Sequence, residues 1–136
     1  MATSGPRRPG RVPVSFDADV WSQEVERLRA RGPMRAAAER AREEIAAHGM
    51  PRDALLACSA DGEDGTSLAR CLKVYLPLND RPASERPCAF VFELAASGDD
   101  RVMLRLIAYG ERHPAPATRS VYERAHKRLH GRYPDQ

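Results

Sequence analysis

Residues suited to phosphate chemistry recur along the second half of this 136-residue chain. The candidates are Lys73, Glu93, Arg105, Arg112 and His113. Cleavage of RNA by its own 2′-hydroxyl needs a base for the hydroxyl proton, cations for the phosphorane charge and an acid for the leaving 5′-oxygen. Lys73, Arg105 and Arg112 are the predicted cations, since arginine holds phosphate in a bidentate manner and lysine supplies a point charge. Glu93 or His113 is the predicted base or acid.

Aromatic and further basic residues extend this set. Tyr75 and Tyr109 are predicted to stack on RNA bases. Arg119 and Arg128 belong to a basic run near the carboxyl end, which indicates either a phosphate-binding patch or a solvated helix face.

Each candidate also has an ordinary structural interpretation. Lys73 and Arg105 are typical of the exposed face of a strand, and Glu93 can pair with either of them across strands. Tyrosines are good strand formers whatever else they do. His113 precedes a proline and can simply close a loop.

Composition indicates a globular protein with a single core. The chain is 42% hydrophobic and 30% charged, and no apolar run approaches the ~18 residues of a membrane span. Residues 1–11 are rich in Gly, Pro and Arg and are predicted to form a disordered basic tail, followed by one domain over 12–136. Because no apolar stretch follows the first basic residues, the sequence predicts a cytoplasmic protein without a membrane partner.

Charge is distributed unevenly along the chain. The net charge is +3, yet residues 17–100 hold 11 basic against 16 acidic residues, and residues 101–136 hold 8 basic against 3 acidic ones. Such a polarised chain can attract phosphate at one end. The alternative is that arginine serves here only as a solubilising residue.

The sequence predicts no metal site and no cofactor. Cys58, Cys71 and Cys88 form no CxxC pair and are predicted to be buried free thiols. His126 and His130 have the i, i+4 spacing of metal ligands, but no third ligand accompanies them.

Two helices are predicted ahead of the chemical residues. Asp17 is a good N-cap for a first helix, whose apolar positions are Trp21, Val25 and Leu28. A Gly-Pro turn at 32–33 leads into a second helix, which Gly49 ends. The apolar positions of the second helix are Met34, Ala38, Ala41 and Ile45. The two helices form a helical hairpin.

Three strands follow, because the apolar period changes to two over residues 68–78, 88–94 and 101–109. Short connections predict an antiparallel meander. One face is apolar and expected to meet the helices. The second face is expected to be partly open and to carry Lys73, Tyr75, Glu93, Arg105 and Tyr109.

A basic helix closes the chain, capped by Thr118 or Ser120. Its apolar side carries Val121, Tyr122, Ala125 and Leu129. With a short strand predicted at 12–16, the fold class is α+β, in the order β-α-α-β-β-β-α. The N-terminal strand precedes the helical hairpin, the three-stranded antiparallel meander packs on the helices, and the C-terminal helix ends the fold.

This layout resembles the RelE/ParE superfamily of type II toxins, and the end of the chain carries most of the resemblance. "LIAYGER" matches the family's last strand with Gly110 and Arg112, and "VYERAHKRL" matches its closing helix with Tyr122 and Arg128. "SLARCLKVYLP" is similar to the family's first meander strand, and "RPCAFVFEL" to the next, with Arg86 at the arginine. A long loop, "HPAPATRS", departs from the pattern.

The resemblance implies a toxin neutralised by a cognate antitoxin. RelE-like members are mRNA interferases that cut mRNA on the ribosome without metal, using basic residues with a Tyr, His or Glu. It adds Tyr122 to the expected catalytic set of Lys73, Glu93, Arg105, Arg112 and His113. ParE-like members instead bind DNA gyrase and are not nucleases. A non-toxic interaction module on the same fold is the third alternative.

Overall fold

The computed structural model describes residues 10–27, 32–58, 68, 70–96, 102–114 and 120–130. Within them the strands are β1 (Arg11–Val12), β2 (Val14–Ser15), β3 (Met50–Pro51), β4 (Leu56–Ala57), β5 (Cys71–Leu76), β6 (Cys88–Ala96) and β7 (Val102–Glu111). The helices are α1 (Ala18–Trp21), which continues as a π-helical turn over Ser22–Arg27, then α2 (Gly32–His48) and α3 (Val121–Leu129). The α+β class predicted from the sequence is therefore confirmed.

A five-stranded mixed sheet is the centre of the fold. Its strand order is β2-β7-β6-β5-β4. β6 pairs antiparallel with both β5 and β7, β4 adds antiparallel to β5, and β2 adds parallel to β7. β1 and β3 form a separate two-stranded antiparallel pair. The strand predicted over 12–16 is thus divided between two sheets, and β3 and β4 were not predicted.

Local signals set the ends of the helices as predicted. The Asp17 carboxylate accepts hydrogen bonds from the backbone N–H groups of Asp19 and Val20, at 2.9 and 3.1 Å, which caps α1. Ser120 caps α3 by accepting from the Glu123 N–H at 3.1 Å. Gly49 follows α2 with a φ of +79°, a left-handed conformation that favours glycine. Thr118 and Leu28 lie outside the described residues.

One face of the sheet packs against α1, the π-helical turn and α2. Phe90 lies at the centre of this core, with its ring within about 6 Å of the rings of Phe16, Trp21, Phe92 and Tyr109. The helices contribute Ala38, Ala41 and Ile45, all buried as their spacing predicts. Burial of this face holds the helical layer on the sheet.

The opposite face, which was predicted to be partly open, is covered in part by α3. Val121 and Ala125 of α3 are fully buried against the sheet. Their cluster includes Cys58, Leu68, Cys71, Ala89, Val91, Ile107 and Ala108. Small side chains at Ala89, Ala108 and Gly110 allow the helix to approach closely.

A β-bulge in β7 changes which residues face the helices. Val91 pairs with Ala108 but Phe92 pairs with Leu106, so Ile107 has no partner residue on β6. The extra residue reverses the alternation beyond it. The prediction that Tyr109 lies on the same face as Arg105 is therefore wrong. Tyr109 is fully buried beneath the helices, and its hydroxyl donates to the Met34 carbonyl at 2.5 Å.

Two further predictions concern the ends of the chain and membranes. Residues 1–9 of the predicted basic tail lie outside the described residues, whereas Arg11 belongs to β1 and pairs with Pro51. Among the described helices, none has the length and apolar character needed to cross a membrane.

Candidate functional site

Six cationic and aromatic side chains meet beside β5, at the point where β7 ends and α3 begins. We call them the tyrosine–cation cluster: Lys73, Tyr75, Arg86, Arg112, His113 and Tyr122. Five of the six were predicted as site residues from the sequence. Arg86 was noted only as the family's strand arginine.

Sheet register brings these residues together. Lys73 and Tyr75 are two apart on β5 and therefore share a face. Tyr75 lies opposite Ala89, which lies opposite Gly110. The small residues on β6 and β7 leave space above the sheet, and Arg112 follows directly after β7. The N-terminal turn of α3 then supplies Tyr122.

Arg112 is held firmly on the Tyr75 ring. Its guanidinium carbon lies 3.7 Å from the ring centroid, a close cation–π contact. The same side chain donates through Nη1 to the carbonyls of Ala83 and Arg86, at 3.0 and 3.1 Å. Its backbone N–H donates to the Pro87 carbonyl at 2.8 Å. Arg112 thus joins the connector formed by residues 79–87 to the sheet, and it also adds a positive charge to the cluster.

Arg86 approaches Tyr75 from the connector. Its guanidinium carbon lies 5.5 Å from the ring centroid, and Nη1 donates to the Asn79 carbonyl at 3.1 Å. Its place in the "RP" pair just before β6 was the available sequence signal, but only the fold of the connector brings it to Tyr75.

Lys73 lies between the two tyrosines. Its Nζ is 4.9 Å from the Tyr122 centroid and 5.6 Å from that of Tyr75. Burial raises the pKa of Tyr122, while the nearby Arg112 and Lys73 oppose that rise. The phenol of Tyr122 is therefore protonated at neutral pH and able to donate a hydrogen bond. The exposed His113 ring lies 6.3 Å from that of Tyr122.

Two polar atoms of the cluster, Arg86 Nε and Arg112 Nε, are buried without a hydrogen-bond partner among the described residues. Tyr122 Oη is buried as well, and a hydrogen bond from the Arg112 side chain opposes the rise in the Tyr122 pKa that burial causes. Within the described part of the chain, no carboxylate forms an ion pair with Lys73, Arg86 or Arg112. Buried donors normally have acceptors, so a positively charged group of donors such as this one suits an anion, and a phosphate group supplies the oxygen acceptors it needs.

Glu93 and Arg105 form a separate ion pair on the same face. They are directly opposite in register, and Arg105 Nη2 contacts Glu93 Oε1. Glu93 also lies opposite Cys71, two residues before Lys73 on β5. The predicted base and one predicted cation therefore neutralise each other beside the cluster, as the cross-strand alternative anticipated.

Two of the basic residues of α3 are bound to a carboxylate within the fold. Arg124 and Arg128 both bind the buried carboxylate of Glu24, at 2.5 and 2.8 Å. Arg128, predicted to bind RNA, is thus occupied in an internal ion pair. Arg119 lies outside the described residues. Tyr109, also predicted to bind RNA, is in the core and has no exposed ring face for a base.

The three cysteine thiols lie inside the fold. Cys58, Cys71 and Cys88 are free and buried, as predicted. Burial raises the pKa of Cys58 to about 11 and that of Cys71 to about 12. No group of three or more metal-binding side chains occurs among the described residues.

Comparison of the chain with protein-family models, with curated proteins and with solved structures finds no match. Function is therefore inferred from the geometry and chemistry of the site itself.

Proposed function

We propose that this protein is the toxin of a type II toxin–antitoxin pair and cleaves mRNA on the ribosome without a metal ion. The observation that carries the proposal is the convergence of Lys73, Arg112 and Tyr122 around Tyr75, with His113 at the margin. These groups supply positive charge, a protonated hydroxyl and an imidazole. RNA transesterification is accelerated by cations and hydrogen-bond donors that stabilise the phosphorane charge and by a base for the 2′-hydroxyl proton, and these groups can fill those roles.

The proposed reaction uses the substrate's own nucleophile. The ribose 2′-oxygen attacks the adjacent phosphorus and loses its proton to a base, and the bond from phosphorus to the 5′-oxygen breaks as that oxygen takes up a proton from water. The products are a 2′,3′-cyclic phosphate and a 5′-hydroxyl end. No bond to the protein forms, so positioning and electrostatic stabilisation carry the catalysis.

Roles follow from the surroundings of each residue. Lys73 is compact and mobile enough to follow the developing phosphorane charge, and Arg112 supplies a fixed positive field. Tyr122 donates a hydrogen bond to a phosphate oxygen because burial keeps its phenol protonated. His113 is exposed and is the proposed base for the 2′-hydroxyl proton. Glu93 is less suited to that role because Arg105 already neutralises it.

The order of the elements supports the same proposal. Two short N-terminal strands, two helices, two further short strands, the antiparallel unit β5–β7 and a closing helix follow one another along the chain. This α+β order is compatible with a RelE-like arrangement, which is part of the proposal. A toxin of this kind acts in the cytoplasm and needs a cognate antitoxin, which we propose as the protein partner.

A translation-dependent mRNA cleavage assay tests the proposal. In a purified translation reaction, wild-type protein should produce cut mRNA. Lys73→Ala and Arg112→Ala should each lower the cleavage rate by about 10²-fold. Arg81→Ala is the matched control, because Arg81 is exposed on the same connector and pairs with Glu85. Intact mRNA with wild-type protein contradicts the proposal.

A non-enzymatic toxin that binds DNA gyrase is the second candidate. It is favoured by one observation: Arg112 Nη1 is committed to two backbone carbonyls, as expected of a structural arginine. Inhibition of gyrase supercoiling, together with intact mRNA in the translation reaction, would replace the first proposal by this one. A non-toxic interaction module would leave both assays unaffected.

A further inference from the structure

A buried carboxylate lies outside the tyrosine–cation cluster, on the π-helical turn after α1. Glu24 is 2% exposed. Its Oε1 accepts from Arg124 Nη2 at 2.5 Å, and its Oε2 accepts from Arg128 Nη2 at 2.8 Å. Both arginines are on α3, four residues apart and therefore on one side of that helix. One carboxylate thus binds the closing helix at two successive turns.

The same carboxylate binds the edge of the sheet. Tyr109 N–H donates to Glu24 Oε1 at 3.1 Å, and the Tyr109 carbonyl accepts from Arg124 Nη2 at 2.7 Å. β2 pairs with β7 at two positions only, Val14 with Leu104 and Ser15 with Arg105. On the side of β7 that faces away from β6, the side chains of Glu24 and Arg124 therefore satisfy the backbone of Tyr109, where β2 no longer pairs with β7.

Gly110 makes room for this arrangement. A β-carbon at that position would lie 3.3 Å from Arg124 Nη1, tighter than ordinary van der Waals contact. The arginine thus crosses the strand at its one glycine before reaching Glu24. The bulge in β7 contributes as well, because it sets which groups of Tyr109 point to the sheet edge.

α3 is consequently held between two polar contacts. On one side Arg124 and Arg128 bind Glu24, and on the other Tyr122 lies against Lys73. The apolar contacts between them, at Val121 and Ala125, involve small side chains and fix the helix less specifically. Direction and rotation of α3 therefore depend on the ion pairs, which have defined geometry.

We propose that Glu24 is the positioning residue that places Tyr122 of α3 against Lys73, and this rests on the proposed function for its catalytic consequence. Glu24 touches neither Lys73 nor Tyr122. It acts through Arg124 and Arg128, which set the orientation of the helix that carries the tyrosine.

Glu24→Gln tests the inference, because glutamine keeps the shape and one acceptor but removes the charge. The matched control is Glu123→Gln, which removes a carboxylate on α3 that pairs only loosely with Lys127, at 3.9 Å. The first readout is the NMR resonance of the Lys73 ε-methylene protons, which the nearby Tyr122 ring shifts. In Glu24→Gln that resonance should move toward its position in Tyr122→Leu, and α3 amides should exchange at least about tenfold faster than in wild type. Amides of β6 and the Glu123→Gln protein should be unchanged.

The second readout is RNA cleavage. Glu24→Gln and Tyr122→Phe should lower the rate by similar factors, and the double variant should be no slower than the slower single variant, since both remove the same contribution. An unchanged Lys73 resonance in Glu24→Gln, or losses that multiply in the double variant, would overturn the inference.

Arg128→Gln keeps the inference testable if Glu24→Gln does not fold. It removes one of the two arginines, and we expect the Lys73 resonance to shift in the same direction by a smaller amount. No shift would count against positioning by Glu24. If wild-type protein cleaves no RNA, the proposed function is wrong, whereas the Lys73 resonance still supports or overturns the placement of Tyr122.

Discussion

The Arg112 guanidinium stacks on the Tyr75 ring at 3.7 Å, and this contact connects the end of β7 to the middle of the site. Two backbone carbonyls of the connector bind the same arginine. Tyr75 therefore acts as a platform for a cation rather than as an open surface for a nucleobase on that face. The cluster as a whole is better suited to phosphate than to reading bases.

Replacement of Tyr75 tests this role. Tyr75→Leu removes the ring and should weaken binding of a labelled single-stranded RNA by about 2- to 30-fold, the range that corresponds to ~0.5–2 kcal/mol for a cation–π contact. Tyr75→Phe keeps the ring and should bind as wild type does. Fluorescence anisotropy measures both. Equal losses in the two variants would show that the hydroxyl, not the ring, is what matters.

Arg112→Lys tests whether the shape of the arginine or only its charge is required. Lysine cannot reach the carbonyls of Ala83 and Arg86 from one planar group while lying on Tyr75. We expect a loss of about 1–3 kcal/mol in the free energy of unfolding, measured by urea denaturation, and faster amide exchange in the 83–87 segment. Arg81→Lys is the control, because that arginine is exposed and pairs only with Glu85 among the described residues. Full stability in Arg112→Lys would mean that the carbonyl contacts contribute little.

Phe90→Ala tests the centre of the helix-facing core. The side chain is fully buried among four aromatic rings. Its truncation should cost about 3–5 kcal/mol in urea denaturation, from lost burial and the cavity left behind. Leu56→Ala serves for comparison, because Leu56 is 43% exposed, and it should change stability by less than ~1 kcal/mol.

Burial also distinguishes two of the acidic residues that pair with arginine, Glu24 and Glu93. Glu24→Gln leaves two arginines without their buried partner and should cost about 3–5 kcal/mol in the free energy of unfolding. Glu93→Gln breaks a pair whose arginine side chain is 53% exposed, and should cost less than ~1 kcal/mol. Urea denaturation of the two variants measures the difference. Similar losses would show that burial does not set the strength of these pairs.

Stability should fall at alkaline pH because the three cysteine thiols are buried, which raises the pKa of each. Burial raises the pKa of Cys58 to about 11 and that of Cys71 to about 12, above their ordinary value of about 9. The folded state therefore favours the neutral thiols. Their contribution is complete below pH 9 and is lost as pH rises from 9 through 11 and 12, by at most about 1.4 kcal/mol per thiol and pH unit.

The thiol contribution is measured by comparing urea midpoints at pH 7 and pH 10.5. A Cys58→Ala, Cys71→Ala double variant should lose less stability over that interval than wild type, whatever its stability at pH 7. Identical losses would attribute the alkaline decline to other groups, such as Tyr109, whose pKa burial also raises.

Local features of the sequence were enough to predict the α+β class and most helix and strand positions. The caps at Asp17 and Ser120 and the stop at Gly49 depend on interactions within a few residues. The shared face of Lys73 and Tyr75 follows from the period of a strand, which is equally local. Arg112 was expected near Lys73 and Tyr75 because it follows β7, the second strand after β5 in the meander.

The bulge, the Arg86 contact and the Glu24 ion pairs were decided by tertiary structure. Strict alternation placed Tyr109 on the wrong face because a single unpaired residue, Ile107, reverses the side-chain direction beyond it. Glu24 and Arg124 are 100 residues apart in the chain, and no local pattern relates them. The sequence by itself determined which residues could carry charge to the site. Only the packing of α3 on the sheet decided which of those charged side chains form ion pairs inside the protein. A buried carboxylate needs a partner, and the fold places the arginines of α3 beside Glu24.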